Sequence, residues 1–233
     1  MARSERPRRR TKSDAFARKP ATLLHSTAVT EGSKVQDERR RQILQAAVRA
    51  FARKGYHACR VSDIAKEAGV AYGLVYHYYR SKETLLESIF KETWGAMLAT
   101  IRSVEQLDEP AREQVRKVTE IVLRTWKRDP ELVRVLVREV TRSSQVQEET
   151  DEIDLAYQAL QRIVEQGQQT GEFRNDVDAR LTATIWYGAL EEILTGWAFG
   201  QLPDREEDVS RAEHAVVEIV AGGLAQDRAA APA

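Results

Sequence analysis

From Asp37 onward the chain is written in helical periods. Ile43, Ala46, Ala47, Ala50 and Phe51 fall at i, i+3, i+4, i+7 and i+8, one face of a helix. Asp37 suits its N-cap and Gly55 its C-terminal stop. A short helix over 61–68 turns Ile64, Ala65 and Ala68 inward and ends at Gly69. A third runs over 72–78, and Ser81 caps a fourth with Leu85, Leu86, Ile89 and Phe90. Pro110 stands where a first helical turn tolerates proline, ahead of Val115, Val118, Ile121, Val122 and Trp126. Asp129-Pro130 repeats that signal before Leu132, Val133, Leu136, Val137 and Val140. A long helix over 147–170 aligns Ile153, Ala156, Leu160, Ile163, Val164 and Gly167, until Gly171 and Asn175 break it. Residues 178–199 are apolar nearly all round, Pro203 ends that stretch, and a last helix covers 205–222. No stretch reads as a strand, no period repeats, and no glycine loop is built for phosphate. The expectation is an all-α chain.

Composition narrows the class. At 233 residues and 42% apolar content, a sizeable core is available. No apolar run reaches the roughly 18 residues of a membrane span, and no apolar h-region follows the basic N-terminus. A single cysteine, Cys59, excludes an internal disulfide framework and a cysteine-based zinc cluster. The expected setting is cytoplasmic.

The formal net charge of zero hides an asymmetry. Residues 1–36 carry a net +6, residues 37–86 a net +5 and residues 87–233 a net −11. A basic front on an acidic body suits a polyanion such as DNA or RNA at one end. A solvated charged surface reads the same way from charge alone. Residues 1–36, with Arg8, Arg9 and Arg10 and no periodic apolar face, read as a disordered basic tail. Three versions stay open: an arm that grips phosphates, a plain tail, or translation that begins nearer residue 29 or 35.

Residues 61–79, V-S-D-I-A-K-E-A-G-V-A-Y-G-L-V-Y-H-Y-Y, hold the most specific pattern. Two short helices around a turn at Gly69 form a DNA-reading helix-turn-helix. Ala65 is small enough for a close crossing, Gly69 can take the positive φ of the turn, and Val70 and Val75 fill the space between the helices. Ile43-Leu44, Ala47, Phe51, Gly55-Tyr56, Asp63-Ile64-Ala65, Ala68-Gly69-Val70, Gly73, Val75-Tyr76-His77-Tyr78-Tyr79 and Ser81-Lys82 with Leu85-Leu86 occur in that order. Residues 41–90 thereby resemble the N-terminal domain of TetR-type transcriptional regulators.

The resemblance implies a three-helix DNA-binding domain, followed by a larger helical ligand-binding and dimerisation domain. The boundaries it suggests are 37–86 and 87–226. It implies a homodimer on a palindromic operator in double-stranded DNA and release by a small ligand, with no cofactor. It places Tyr72, Gly73, Leu74 and His77 against base edges and Tyr76 and Lys82 against phosphates. Arg60, Ser62 and Ala71 complete the DNA-facing set. Tyr78 and Tyr79 are expected to pack. The chain departs from the pattern where Cys59-Arg60 and Ala71 replace capping hydroxyls, a loss of about 1 kcal/mol each. Leu74 replaces a small or hydroxylated residue and can meet a thymine methyl. Cys59 is read as a spectator thiol.

Further along, Pro130 to Val140, Glu165-Gln166-Gly167-Gln168, Gly171-Glu172-Phe173-Arg174-Asn175-Asp176 and Gly188-Ala189-Leu190-Glu191-Glu192 resemble the fatty-acid-responsive TetR subgroup. That implies repression of fatty-acid genes, with release by long-chain acyl-CoA. A tunnel for the chain has Trp94, Met97, Leu98, Trp126, Leu136 and Tyr157 as candidate walls. Arg134 and Arg138, with Arg102, Arg124 and Arg142, are candidates to meet the CoA phosphates. Ordinary core packing and solvated helix faces are the competing readings. Arginines facing the pocket favour an anion, whereas carboxylates there favour a cationic or drug-like ligand of the kind an efflux regulator senses. The last two long helices are expected to dimerise, with Ala183, Gly188, Gly196 and Gly222-Gly223 allowing close approach. An enzyme is disfavoured, because no nucleophile–base pair, Glu-x-x-His motif or histidine cluster is found. A non-specific nucleoid protein would need no apolar body.

Overall fold

The computed structural model of the chain describes residues 31–139 and 151–225. The predicted tail before residue 31, the start of the long helix at 147, Val140, Arg142 and the domain end at 226 lie outside the described residues. The order is α1 (Glu31–Lys54), α2 (Val61–Ala68), α3 (Tyr72–Tyr78), α4 (Lys82–Glu105), α5 (Ala111–Arg128) and α6 (Pro130–Glu139). After the undescribed segment come α7 (Asp151–Gln169), α8 (Ala179–Ala198) and α9 (Glu206–Val217), which runs into a π-helical turn at Glu218–Gly222. Among the described residues β-pairing is confined to an isolated bridge between Phe173 and Ala225.

The predicted short helices hold at 61–68 and 72–78, but α1 does not start at Asp37. It begins at Glu31, and residues 31–36, expected to be disordered, are helical. From Lys34 to Arg40 every residue is exposed, Val35 at 62%. The apolar period that located the helix therefore could not locate its beginning. Local pairs such as Arg41 with Glu38 at 3.5 Å support the exposed turns instead. At the other end Gly55 stops α1 at φ +74°, as expected.

Two cores form. In the head, Ile43, Ala47 and Phe51 of α1 close over Ile64 and Ala65 of α2, Val75 of α3 and Leu85 and Leu86 of α4. In the body, α4, α5, α7 and α8 pack around Val118, Leu123, Leu160, Ile163 and Trp186. The indole N–H of Trp186, fully buried, donates to Thr119 Oγ1 at 3.1 Å. No linker separates the two cores: α4 runs unbroken through the expected boundary at 86/87. Helix α6 belongs to both. Its Val135 is buried in the head core with Leu132 and Leu136 packed beside it, whereas Val133 is part of the body core.

The Gly171–Asp176 segment is a buckle. Gly171 turns at φ +75°. The Glu172 carboxylate then accepts from the N–H groups of Ala111 at 2.7 Å and Arg112 at 3.0 Å, capping the first turn of α5. Phe173 is buried under Gly167 of α7, and the Arg174 N–H donates to the Leu224 carbonyl at 2.8 Å. Three distant elements are thus tied at one corner.

A Cβ on Gly167 would stand 2.2 Å from the Phe173 ring and 2.8 Å from Ala111 Cβ. Gly167→Ala should therefore destabilise the protein by about 1–3 kcal/mol through overpacking. Urea unfolding checks this; an unchanged midpoint would mean the buckle yields without cost.

Candidate DNA-reading face and ligand pocket

The second and third helices are oriented by a turn that only a few residues permit. Gly69 ends α2 at φ +64°, and its neighbour Val70 donates its N–H to the Ala65 carbonyl at 3.0 Å. Val75 is fully buried and Val70 packs half-buried against the same core, so α3 is held by one face. Tyr79 is buried, and its hydroxyl donates to the Arg40 carbonyl at 3.3 Å, fastening α3 to α1. The opposite face is left free. Tyr72 is 53% and Tyr76 41% exposed, and Ala71, Gly73 and His77 are exposed with them. Leu74 is half-buried at the edge. The Tyr72 hydroxyl donates to that of Tyr76 at 3.2 Å, across rings set edge to face.

Beside α3 a shallow concavity gathers Arg60, Ser62, Tyr72, Tyr76 and Lys82. Five of the nine predicted DNA-facing residues thus meet on one surface. The same concavity includes exposed Arg80, which sequence reasoning passed over. Its signal was there: a cation immediately before the Ser81 cap of α4. That cap is made as expected, the Thr84 N–H donating to Ser81 Oγ at 3.1 Å.

Lys82 has a further role that the sequence did not announce. Its ammonium donates to the carbonyls of Tyr56 at 2.8 Å, Cys59 at 3.2 Å and His57 at 3.4 Å. It also lies 4.3 Å above the centre of the Tyr56 ring. All three ammonium donors are engaged, which pins the loop that carries Arg60. Helix α2 has no side-chain cap bond; the Asp63 carboxylate instead accepts from the Arg60 N–H at 3.0 Å and pairs with Lys54 at 2.7 Å. The hydrogen bond to Lys54 Nζ, then that to the Arg60 N–H, hold the Asp63 pKa below the usual carboxylate value. At α3 no such replacement exists. Burial pushes the Cys59 thiol pKa up, as suits a spectator.

In the body, an apolar cavity of about 340 Å³ opens between α4, α5, α6, α7 and α8. Trp94, Met97, Leu136 and Tyr157, four of the eight predicted ligand residues, line it. The other four do not. Leu98 is buried in the core away from the cavity, and Trp126 packs against Trp197 with its indole N–H on Asp204 at 3.1 Å. Arg134 lies over the Trp126 ring at 5.0 Å and Arg138 over Phe199 at 5.4 Å. Helix positions 134 and 138 lie a turn apart, so both arginines leave α6 on one side and cover aromatic surface. Arg124, another predicted phosphate partner, is paired with Glu120, Glu206 and Glu213.

Sequence reasoning missed Tyr187, Glu191 and Thr195, which follow one another at i, i+4 and i+8 along α8. Tyr187 stacks on Trp94 at 6.1 Å and meets Tyr157 at 4.5 Å. Burial raises the Tyr187 pKa above its usual value. Burial, then the charge of Glu192, raises that of Glu191. Among the described lining residues, Glu191 is the charged one.

A third surface is apolar. Leu181 and Ile185, on one stripe of α8, are 64% and 67% exposed, and Phe199, just past the end of that helix, is 47% exposed beside Arg138. Ile219, in the turn after α9, is 73% exposed. Two small residues expected at a dimer contact are instead used inside the chain. Ala183 is buried, and Gly196 receives the Leu202 side chain, which a Cβ would meet at 2.6 Å. Gly188 stays open, with nothing within 4 Å of a Cβ placed there.

A helix-turn-helix head fused to a helical body with an apolar pocket defines a DNA-binding transcriptional regulator. Residues 43–89 match the family of bacterial regulatory proteins, tetR family, and residues 90–223 match the C-terminal region of YsiA-like proteins. The chain belongs to the tetR family. It is 31% identical to the fatty acid metabolism regulator protein of Bacillus subtilis strain 168, over 78% of this chain and 94% of that one. Its fold matches the crystal structure of FadR from Bacillus subtilis in complex with stearoyl-CoA, with TM-score 0.70 and 29% identity. That match covers 79% of this chain and 98% of that one. The fatty acid degradation regulator FadR from Bacillus halodurans matches with TM-score 0.70 and 28% identity, over 79% and 98%.

Replacing Lys82 with Met keeps the aliphatic stem and removes the donors. We expect the unfolding midpoint to fall, by roughly 1–3 kcal/mol of stability, and affinity for operator and unrelated duplexes to fall together. Tyr72→Ala should leave the midpoint in place and change the ranking of operator variants. Anisotropy on a panel of duplexes, beside thermal melts, checks both; an unchanged midpoint for Lys82→Met would sink the loop-pinning role.

Proposed function

We propose that the protein is a homodimeric repressor of fatty-acid metabolism genes, released from its operator by long-chain acyl-CoA in the bacterial cytoplasm. The observation that carries this reading is the position of α6, which walls the apolar pocket with Val133, Leu136 and Val137 while Val135 sits in the head core. A chain that fills the pocket presses on the helix that the head packs against. The similarity to acyl-CoA-linked regulators supplies the ligand class.

In this reading residues 37–86 read DNA and residues 87–226 bind ligand and dimerise. Tyr72, Gly73, Leu74 and His77 face base edges. Arg60, Ser62, Ala71, Tyr76 and Arg80 serve the phosphate side, and Lys82 adds its charge there while its donors hold the loop that carries Arg60. Trp94, Met97, Leu136 and Tyr157, with Tyr187, hold the acyl chain. The Leu181–Ile185 stripe, Phe199 and Ile219 supply the dimer contact, because so much exposed apolar surface favours a like partner. The reading includes no catalysis.

The proposed switch is a population shift. The acyl chain binds one head spacing better than the other, and its differential affinity sets how far the equilibrium moves. The route leads from the pocket wall through α6 to Glu139, whose buried carboxylate accepts from the Tyr56 N–H at 3.4 Å. Tyr56 in turn offers its carbonyl to Lys82.

A second reading is a regulator of an efflux or other pathway gene that senses an aromatic or cationic ligand. Glu191 beside Trp94, Tyr157 and Tyr187 favours it, since a carboxylate among aromatic faces suits a cation.

Fluorescence anisotropy on labelled DNA from upstream of the protein's own gene separates the two. Palmitoyl-CoA at micromolar concentration is expected to abolish binding, and a quaternary ammonium dye to leave it intact. The reverse result would replace the first reading with the second.

A further inference from the structure

The acyl-CoA reading leaves one pocket group without a task, and the inference drawn from it rests on that reading. Glu191 lines the cavity between Tyr187 and Thr195, yet the residue is exposed, so it stands at the rim and not at the depth. The other described lining residues are apolar, aromatic or hydroxyl-bearing. Tyr157 and Tyr187 close the wall next to it. Glu192 follows on the same helix and adds negative charge.

We propose that Glu191 selects the ligand's head group, admitting an acyl chain whose rim-level group is neutral, such as a thioester, and rejecting one that ends there in a free carboxylate. An acyl chain enters tail first, because only the tail matches the apolar wall. Its head then lies at the rim. A fatty-acid carboxylate placed there meets a second carboxyl group, and the two must repel or share a proton. At a separation of about 5 Å this costs roughly tenfold or more in affinity.

A thioester brings no charge to that point. The phosphates of CoA ride at the far end of the pantetheine arm, beyond the screening length of about 8 Å at physiological salt. The amide N–H groups of that arm can donate to the carboxylate, which turns the same residue from an obstacle into an acceptor. The free acid and its activated thioester share one tail, so the aliphatic wall cannot tell them apart. A charge at the rim can.

The test is release of labelled operator DNA by palmitoyl-CoA and by sodium palmitate, for the natural protein, Glu191→Gln and Glu191→Lys. The natural protein should need at least about ten times more palmitate than palmitoyl-CoA. Glu191→Gln should narrow that ratio by roughly tenfold, and Glu191→Lys should narrow it further. Operator affinity without ligand and the unfolding midpoint report whether each variant is folded, and Glu191→Gln, nearly isosteric, carries the test if Glu191→Lys is not. If palmitoyl-CoA releases the DNA but the ratio is the same in the natural protein and Glu191→Gln, the selector is wrong and the acyl-CoA reading stands. If palmitoyl-CoA releases nothing, that reading falls and the selector falls with it.

Discussion

Helix α6 has to satisfy two cores at once, and the rest of the molecule is arranged around that demand. With ten residues it turns Val135 into the head and Val133 into the body, and it lends Leu136 and Val137 to the pocket. Cores pack as densely as organic crystals, so a helix shared by two of them cannot shift in one without being felt in the other. A flexible linker would have given two independent domains. The continuous α4 and the shared α6 instead join pocket and head in one packed unit.

The head shows what surrounds helix starts that lack a cap hydroxyl. Sequence placed Arg60 and Ala71 where hydroxyls would serve as caps, and each replacement leaves helix N–H groups short of acceptors. At α2 Asp63 reaches back to the Arg60 N–H, a different donor from those a cap hydroxyl would serve, and Lys54 holds the carboxylate charged. The carbonyls of the preceding loop find their donor in Lys82. The Lys82 ammonium thereby holds the loop that presents Arg60. Tyr72 and Tyr76 have no such duty. One side of α3 is satisfied by Val75 and Tyr79, and the other is left to solvent.

The arginines of the body show where residue type misleads. Arg134 and Arg138 looked like phosphate partners because cations on an acidic body stand out. Their guanidinium planes cover Trp126 and Phe199 instead, where stacking suits a weakly hydrated cation. The G-E-F-R segment, read as a mark of kinship, turns out to be architecture: each of its residues fastens one corner of the body.

By itself the sequence determined the helices, because an apolar period of 3.6 records which face each one buries. It also determined the helix-turn-helix, because Ala65, Gly69 and Val75 are dictated by local sterics at fixed spacing. What it could not carry was anything that depends on which helices become neighbours. The start of α1 was invisible since exposed turns leave no apolar trace. Tyr187 and Glu191 entered the pocket, and Leu98 and Trp126 left it, on the rotation of α8, α4 and α5 about their own axes. That rotation is set by packing across segments up to about a hundred residues apart, and only the tertiary structure decides it.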